Sequence, residues 1–421
     1  MLPPRRIGLA TVRNPMHTAA QSSGAEGQPE GSPPGDRVTA FLAAAHAHMP
    51  PDFRTIVDLA GAALGATSAR MFVADYGLAS LRELGYPVPP GPPSPIDGTL
   101  AGRCFAADEI IVADPPGTVL IPLTDGSERV GVLELTHPSW SAEHAAAAVA
   151  IVQVLVLLVV SKRRYTDVVH QTRRAEPLSI AAEMQWSLLP PLACASDLIS
   201  ASGLLEPAYS IGGDIFDYGL NPAGLEFAII DAVGHGLPAV SISAVTVNGL
   251  RNARRQGHSL ETAYLDTDAA LRSQFTRSAY ATGQIGSLDH RTGELTWLNA
   301  GHPLPLLVRD ATFIGELPCR PSLPMGLEGT VTEVAVTQLQ PGDRVLFHTD
   351  GISESTSPEG ESFGLDRLAD LLVRGVADRT ATAESVRRLL RTVVEYTGHS
   401  PRDDATLVMV EDHGSPPHAA S

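Results

Sequence analysis

Leu225-Glu226-Phe227-Ala228-Ile229-Ile230-Asp231-Ala232-Val233-Gly234-His235-Gly236 is the stretch on which the reading of this chain turns. An apolar, strand-like run ends on a carboxylate, and two glycines follow. The pattern recurs. Arg344-Val345-Leu346-Phe347-His348 leads into Thr349-Asp350-Gly351, and Leu407-Val408-Met409-Val410 follows Asp403-Asp404-Ala405-Thr406. Gly212-Gly213-Asp214 adds a fourth acidic motif. Carboxylates at strand ends can converge on one edge of a sheet from distant points in the sequence. An all-oxygen cluster of that kind suits Mg²⁺ or Mn²⁺, hard cations that take carboxylate and water ligands. One Asp-Gly alone is more often a turn. Four acidic motifs, three of them beside an apolar strand, point to metal.

The rest of the composition fits a multi-part intracellular regulator. A length of 421 residues makes two domains the starting expectation, each able to bury a core. A formal charge of −17 argues against nucleic-acid binding, which needs a basic face. Cys104, Cys194 and Cys319 show no metal-type spacing and no disulfide framework, which suits a reducing compartment. Met1-Leu2-Pro3-Pro4-Arg5-Arg6 has no apolar segment behind it, so no secretory signal is expected. Ala145 to Val160 is uncharged and apolar but short of the ~20 residues of a spanning helix. It reads as a buried or dimer-forming helix, and the protein as soluble and cytoplasmic, with no membrane partner.

Organisation follows from changes in composition. Residues 1–35, rich in Gln, Ser, Gly and Pro, are expected to be a disordered tail. From residue 36 to 160 two helices, a strand at Ala69–Ala74, a Pro-rich loop, a short helix after Asp97 and a strand–turn–strand pair over Val119–Leu135 form an α+β domain. Residues 161–195 read as a helical connector. The run from Glu143 is expected to continue as helix through Tyr165 to Arg174, ending at Pro177, with a second helix over Leu178–Leu189. Residues 196–412 alternate strands with two helix pairs, Leu237–Gln256 with Ser259–Phe275 and Leu365–Arg374 with Ala383–Thr397. Residues 413–421 form a flexible C-terminal tail. The whole is α+β.

The ordered motifs resemble the PPM-type metal-dependent Ser/Thr protein phosphatases, in their bacterial SpoIIE-like branch. The resemblance rests on Gly212-Gly213-Asp214-Ile215-Phe216-Asp217, Asp231 to Gly236, Asn299-Ala300-Gly301-His302-Pro303, Pro324-Met325-Gly326, Thr349 to Glu354 and Asp403 to Thr406. It covers about residues 196 to 412 and implies an αββα sandwich with metals at one end. The first domain resembles a GAF sensor module, on Asp97-Gly98-Thr99-Leu100-Ala101-Gly102 and the hairpin ending Gly131-Val132-Leu133-Glu134-Leu135. Its small-molecule ligand, if it takes one, is unidentified. No Cys or His set tethers a cofactor there. The connector resembles the regulatory helix of SpoIIE-like enzymes at Glu183, Gln185, Leu188, Leu189 and Pro190.

Phosphate monoesters repel nucleophiles and water is a weak one. Two divalent ions answer both problems by lowering the pKa of a shared water and neutralising charge on the phosphoryl oxygens. Carried over by resemblance, Asp214 and Asp231 hold both metals with the Ala232 carbonyl, and Asp350 and Asp403 hold one. Asp404 is the alternative to Asp403. Asp217 is read as a structural partner. Animal-type members place a His two positions after the second-motif Asp, where this chain has Val233. His235 is read as structural, and His302 as a turn residue. No Arg is assigned to the substrate phosphate. The Gly-Gly-Asp motif lacks the continuation of cyclic-dinucleotide synthases, and no ATP box of a histidine kinase occurs. The resemblance implies a sensor-regulated phosphatase acting on a phosphorylated anti-sigma-factor antagonist. The alternative is a catalytically silent scaffold that binds signalling partners. A homodimer is expected through the helix from Ala145, with Leu155, Leu158 and Val159 near the seam.

Overall fold

The computed structural model describes residues 12–13, 34–85, 91–114, 117–209, 212–276, 278–398 and 403–414. The tails expected over 1–35 and 413–421 lie almost wholly outside them. The chain divides into two compact units, Met1–Ala175 and Glu176–Ser421, and is α+β throughout.

The first unit is an α/β layer. It runs β1 (Val12–Arg13), α1 (Pro34–His46), α2 (Phe53–Ala63), β2 (Ser68–Ala74), β3 (Ser80–Glu83), β4 (Ser94–Pro95), α3 (Leu100–Ala107), β5 (Glu109–Val112), β6 (Thr118–Asp125), β7 (Glu128–Thr136), α4 (Ala142–Lys162) and α5 (Val168–Arg173). The strands form one antiparallel sheet in the order β1-β5-β6-β7-β2-β3-β4. In α2, Phe53, Ile56, Val57 and Ala60 recur at helical spacing and are buried. The Asp52 carboxylate accepts from the Thr55 amide at 3.4 Å and caps that helix. These side chains share a core with Phe41 of α1, Met71 and Val73 of β2, Ile121 of β6 and Leu133 of β7.

Helix α4 corrects two expectations. Leu155, Leu158 and Val159 are only 0%, 9% and 1% exposed and belong to this unit's own core, so they do not form a seam between copies. The helix is apolar all round, and periodicity alone does not tell which face the sheet takes. Left outside are Ala146, Ala150, Gln153 and Leu157, exposed or half-buried. The second correction is continuity. After a 3-10 turn at Arg163–Tyr165, Thr166 is extended at φ −155° and ψ 148°. Its hydroxyl accepts from the Val168 amide at 3.3 Å, a local bond that competes with helix continuation. Helix α5 then returns to its own sheet. Arg173 Nε donates to the Ala74 carbonyl at 3.1 Å, and its guanidinium lies 4.4 Å from the centre of the Tyr76 ring. Among the described residues, one helical stretch, Ala142–Tyr165, is long and apolar enough to cross a membrane.

The second unit opens with α6 (Ile180–Leu188), β8 (Ala193–Ala195), β9 (Ile199–Glu206), β10 (Asp214–Asn221) and β11 (Gly224–Ala232). Then come α7 (Leu237–Arg255), α8 (Leu260–Gln274), β12 (Ala281–Asp289), β13 (Glu294–Ala300), β14 (Leu306–Arg309), β15 (Thr312–Glu316) and β16 (Ala335–Gln338). It closes with β17 (Arg344–His348), α9 (Asp350–Ser353), α10 (Gly364–Ala377), α11 (Thr382–Tyr396) and β18 (Ala405–Asp412). Two antiparallel sheets result, β10-β11-β12-β13-β16 and β15-β14-β17-β18-β9-β8. Phe216, Phe227, Trp297, Phe347 and Val408 fill the space between them. The Phe227 and Phe347 rings meet across it with centroids 4.7 Å apart, and burial of each such side chain is worth about 1.5–3 kcal/mol. Helices α7 and α8 cover the outer face of the first sheet through Ile215, Ile230, Val247 and Leu271. Helices α10 and α11 cover the second. The layers are helix, sheet, sheet, helix.

A carboxylate cluster at one end of the sandwich

Strand alternation places the acidic side chains. On β11, Leu225, Phe227 and Ile229 point into the space between the sheets, while Ala228, Ile230 and Ala232 face the helices. Asp231 therefore faces the inter-sheet side. Asp214 is its cross-strand partner and shares a face with Phe216, so the two carboxylates stand beside each other where β10 starts and β11 ends. The second sheet brings β17 and β18 to the same place, with His348 paired to Leu407. Asp350 follows β17, and Asp403 and Asp404 precede β18. Hydrogen bonds between the sheets fix the convergence. Thr349 Oγ1 donates to Asp214 Oδ2 at 2.8 Å, and the Asp214 amide donates to Asp404 Oδ2 at 3.2 Å. The Thr406 amide donates to Thr349 Oγ1 at 2.9 Å.

The motif glycines serve this close approach. A Cβ on Gly213 would stand 3.2 Å from the Ala232 carbonyl oxygen and 3.4 Å from Asp404 Oδ2. At Gly351 it would lie 1.9 Å from the Asp404 carbonyl oxygen, which no side chain can tolerate.

The cluster is electrostatically loaded. Burial, then the charges of Asp231 and Asp404, push the Asp214 carboxyl well above the usual range, against hydrogen bonds from Thr406 and Thr349. Asp231 is pushed up to about 7 by burial, then by Asp350, Asp403 and Asp404. Asp404 is raised to about 6, mainly by burial, with the Asp214 amide opposing. Gathered carboxylates of this kind are relieved by a hard divalent cation, and the donor set is all oxygen, so the residues fit Mg²⁺ or Mn²⁺. Among the described residues, no three His, Cys, Asp or Glu side chains form a ready-closed ligand set. Asp403 is exposed, with its Oδ1 accepting from the Asp404 amide at 2.9 Å, whereas Asp404 is buried. Asp231 and Asp350 are half-buried and Asp214 is buried.

The remaining candidates separate by position. Asp217 points to the other side of β10, where Arg251 and Arg254 of α7 pair with it at 2.6 and 2.8 Å. His235 is exposed in the loop after β11. His302 is buried, and burial followed by the neighbouring His348 lowers it to about 3. Asn299 brackets the turn there, donating to the His302 carbonyl at 2.8 Å and accepting from the His302 amide at 2.7 Å. Gln185 of α6 is buried and donates from Nε2 to the Asp214 carbonyl. Leu188 and Leu189 pack at the edge of the cores, and Glu183 is exposed. Thr349, Thr406 and Arg251 are the residues that sequence reasoning left without a role. The two threonines stood inside the quoted motifs; Arg251 carried no local signal.

Comparison with known proteins bears on this second unit. Residues 221–412 match the family described as Stage II sporulation protein E (SpoIIE). The chain is similar to Protein IcfG of Synechocystis sp., 22% identical over 263 residues that make up 56% of this chain and 39% of that protein. It is also similar to Phosphoserine phosphatase RsbU of Bacillus subtilis, 21% identical over 252 residues, 57% of this chain and 73% of that one. It thus spans well under half the length of IcfG. Among solved structures, the RsbU and RsbW domains of Rv1364c from Mycobacterium tuberculosis share 29% identity over 52% of this chain and 62% of that one, with a TM-score of 0.44. More distant solved structures include RsbX in complex with magnesium, 18% identical over 52% of this chain and 98% of that one with a TM-score of 0.40. Another is the catalytic domain of serine threonine protein phosphatase PstP in complex with 2 manganese ions, 15% identical over 51% of this chain and 98% of that one with a TM-score of 0.40.

Proposed function

We infer the activity of this chain from the premise that its C-terminal half is a SpoIIE-family phosphatase domain of the PP2C type, related to phosphatases of sigma-factor regulation. Our reading is that it hydrolyses a phosphoserine or phosphothreonine ester on a protein, with two divalent cations, Mn²⁺ or Mg²⁺, held by the carboxylate cluster. The convergence of Asp214, Asp231, Asp350 and the Asp403–Asp404 pair from four strand ends carries this reading. Asp214 and Asp231 hold both ions, the Ala232 carbonyl adds a ligand, and Asp350 and Asp403 serve one ion. Asp404, bonded to the Asp214 amide, keeps the β18 end of the cluster in place and is the alternative ligand. The ions supply charge neutralisation and a more acidic water. Thr349 orients Asp214, and Thr282, whose hydroxyl lies 3.4 Å from the Asp231 carbonyl, steadies the opposite strand.

The substrate we propose is a phosphorylated anti-sigma-factor antagonist in a cytoplasmic partner-switching pathway. In this reading the first unit is a GAF-like sensor with an unidentified ligand, and α6 is the regulatory helix, with Gln185 as its contact to the site. Residues 161–175 go with the sensor and 176–195 with the phosphatase. The assembly is a homodimer, with neither nucleic acid nor membrane as partner. Hydrolysis of phosphoserine peptides and p-nitrophenyl phosphate by the full chain tests the activity. Mn²⁺ or Mg²⁺ should support turnover, and chelation should abolish it. Full activity after exhaustive chelation would overturn the metal mechanism, and cation binding without turnover would favour the silent scaffold.

A further inference from the structure

We propose that Arg251 is a positioning residue for the metal centre: its guanidinium joins the end of α6 to β10, so that docking of α6 and placement of Asp214 are one event. The inference rests on the phosphatase reading above.

Asp217 lies three residues beyond Asp214 on β10 and is 2% exposed. Arg251 donates to its Oδ1 from Nε at 2.8 Å and from Nη2 at 2.6 Å, and Arg254 Nη1 reaches its Oδ2 at 2.8 Å. Arg254 also faces the Glu226 carboxylate. Arg251 instead reaches α6, its Nη2 donating to the carbonyl of Leu188, the last residue of that helix. The final carbonyls of a helix have no partner within it and carry partial negative charge, so a guanidinium is well suited to them. On the same helix Gln185 donates to the Asp214 carbonyl. A ring of contacts closes through Gln185, Asp214, β10, Asp217, Arg251 and Leu188. A helix held at two points cannot slide by one residue, about 1.5 Å, without breaking both. Arg254 would still pair with Asp217 if Arg251 were lost, so the ring can be opened without leaving a buried carboxylate alone.

The test uses the full chain with Arg251→Gln, Arg251→Lys and, as a control on exposed α7 surface, Arg255→Gln. Three quantities are read: the Mn²⁺ concentration giving half-maximal hydrolysis, the rate at saturating Mn²⁺, and Mn²⁺ binding followed by electron paramagnetic resonance without substrate. Loss of the guanidinium that joins Leu188 to Asp217 should raise the half-saturating Mn²⁺ about ten-fold or more for Arg251→Gln, with a much smaller change in the saturated rate. Arg251→Lys should recover part of the loss, and Arg255→Gln should match wild type. Combined with Gln185→Ala, the effects should fall short of additive, since both open one ring. Unchanged Mn²⁺ dependence in Arg251→Gln, or full additivity, overturns the proposal. A wild-type protein that binds Mn²⁺ but hydrolyses nothing overturns the phosphatase reading instead, and the binding measurement then decides the role of Arg251 by itself.

Discussion

Replacing Asp231 with Asn should move stability in opposite directions with and without metal. In the metal-free protein the Asp231 carboxyl is raised from 3.8 to about 7 by burial and by the charges of Asp350, Asp403 and Asp404. Keeping it ionised above that range costs about 4 kcal/mol for a fully enclosed group, and about 2–4 kcal/mol once its partial exposure is counted. An amide removes that cost. With a unit the size of Glu176–Ser421, the chelated variant should melt roughly 5 to 10 °C above wild type at about pH 8. With Mn²⁺ at a hundred times its dissociation constant, wild type gains about 2.7 kcal/mol, whereas the variant, having lost a carboxylate between two ions, gains little. The order of melting temperatures then closes or reverses, and hydrolysis falls by orders of magnitude. Asp217→Asn is the contrasting change. It leaves Arg251 and Arg254 without their carboxylate, and breaking a buried pair costs about 3–5 kcal/mol, so it should destabilise under both conditions while sparing far more activity. Thermal unfolding with chelator and with Mn²⁺, alongside phosphatase assays, gives all the readings. A lower melting temperature for chelated Asp231→Asn, or near-normal turnover at saturating Mn²⁺, would refute the assignment of Asp231 as a shared ligand.

Two other outcomes follow from the same structure. Asp231 and Asp404 titrate at about 7 and about 6 in the folded protein, above their ordinary 3.8, so the metal-free native state binds more protons than the unfolded state between these values. Their stabilisation is complete below the unfolded value and is lost as pH rises through the folded ones; chelated protein should therefore melt lower at about pH 8 than at about pH 5 on their account, and Mn²⁺ should erase the difference. A chelated protein whose stability rises across that window would count against the raised carboxyls. Ala146, Ala150, Gln153 and Leu157 recur at alternating steps of four and three along the open face of α4, the pattern of a helix seam. Leu157→Glu should therefore convert a dimer to a folded monomer in sedimentation at tens of micromolar, whereas Leu155→Glu, in the core, should unfold the first unit. Wild-type monomer, or a Leu157→Glu dimer, would remove this interface.

The acidic motifs were legible because a carboxylate beside an apolar run violates the pattern around it, and three such violations with a fourth acidic motif imply one site. Strand β9 gave no such sign. Its run Ile199-Ser200-Ala201-Ser202-Gly203 does alternate, with Ile199 and Ala201 in the core between the sheets, but apart from Ile199 the residues are too small to stand out as an apolar strand. Ser200 and Ser202 reach the Thr382 hydroxyl of α11 at 3.3 and 3.5 Å, and Gly203 leaves room for the Phe216 ring, which a Cβ would approach to 2.5 Å. The short strands β15 and β16 were equally silent, since β15 is mostly exposed and offers no buried face. Arg251 was beyond reach for another reason. Its partners Leu188 and Asp217 are distant in sequence, and nothing in a helix's own spacing says which of its arginines will turn inward to a buried carboxylate.

The connector shows where sequence periodicity stops being informative. An uninterrupted helix from Glu143 to Arg174 would transmit rotation from the first unit as a rigid rod. The chain instead breaks at Thr166, commits α5 to the first unit through Arg173 and Tyr76, and commits α6 to the second through Gln185, Arg251 and Trp186, whose Nε1 donates to the Ala208 carbonyl at 2.8 Å. Between these two anchored helices lie residues 174–179, with Pro177 among them, too few and too irregular to carry helical register. A signal reaching the carboxylates along this route must then act by changing how firmly α6 is docked, which is an equilibrium, and not by turning a shaft. The distinction is measurable. Inserting one residue after Glu176 would rotate a continuous helix by about 100° and disrupt control, but it should leave Mn²⁺ affinity nearly unchanged if α6 is held by its own contacts at Asp214 and Arg251.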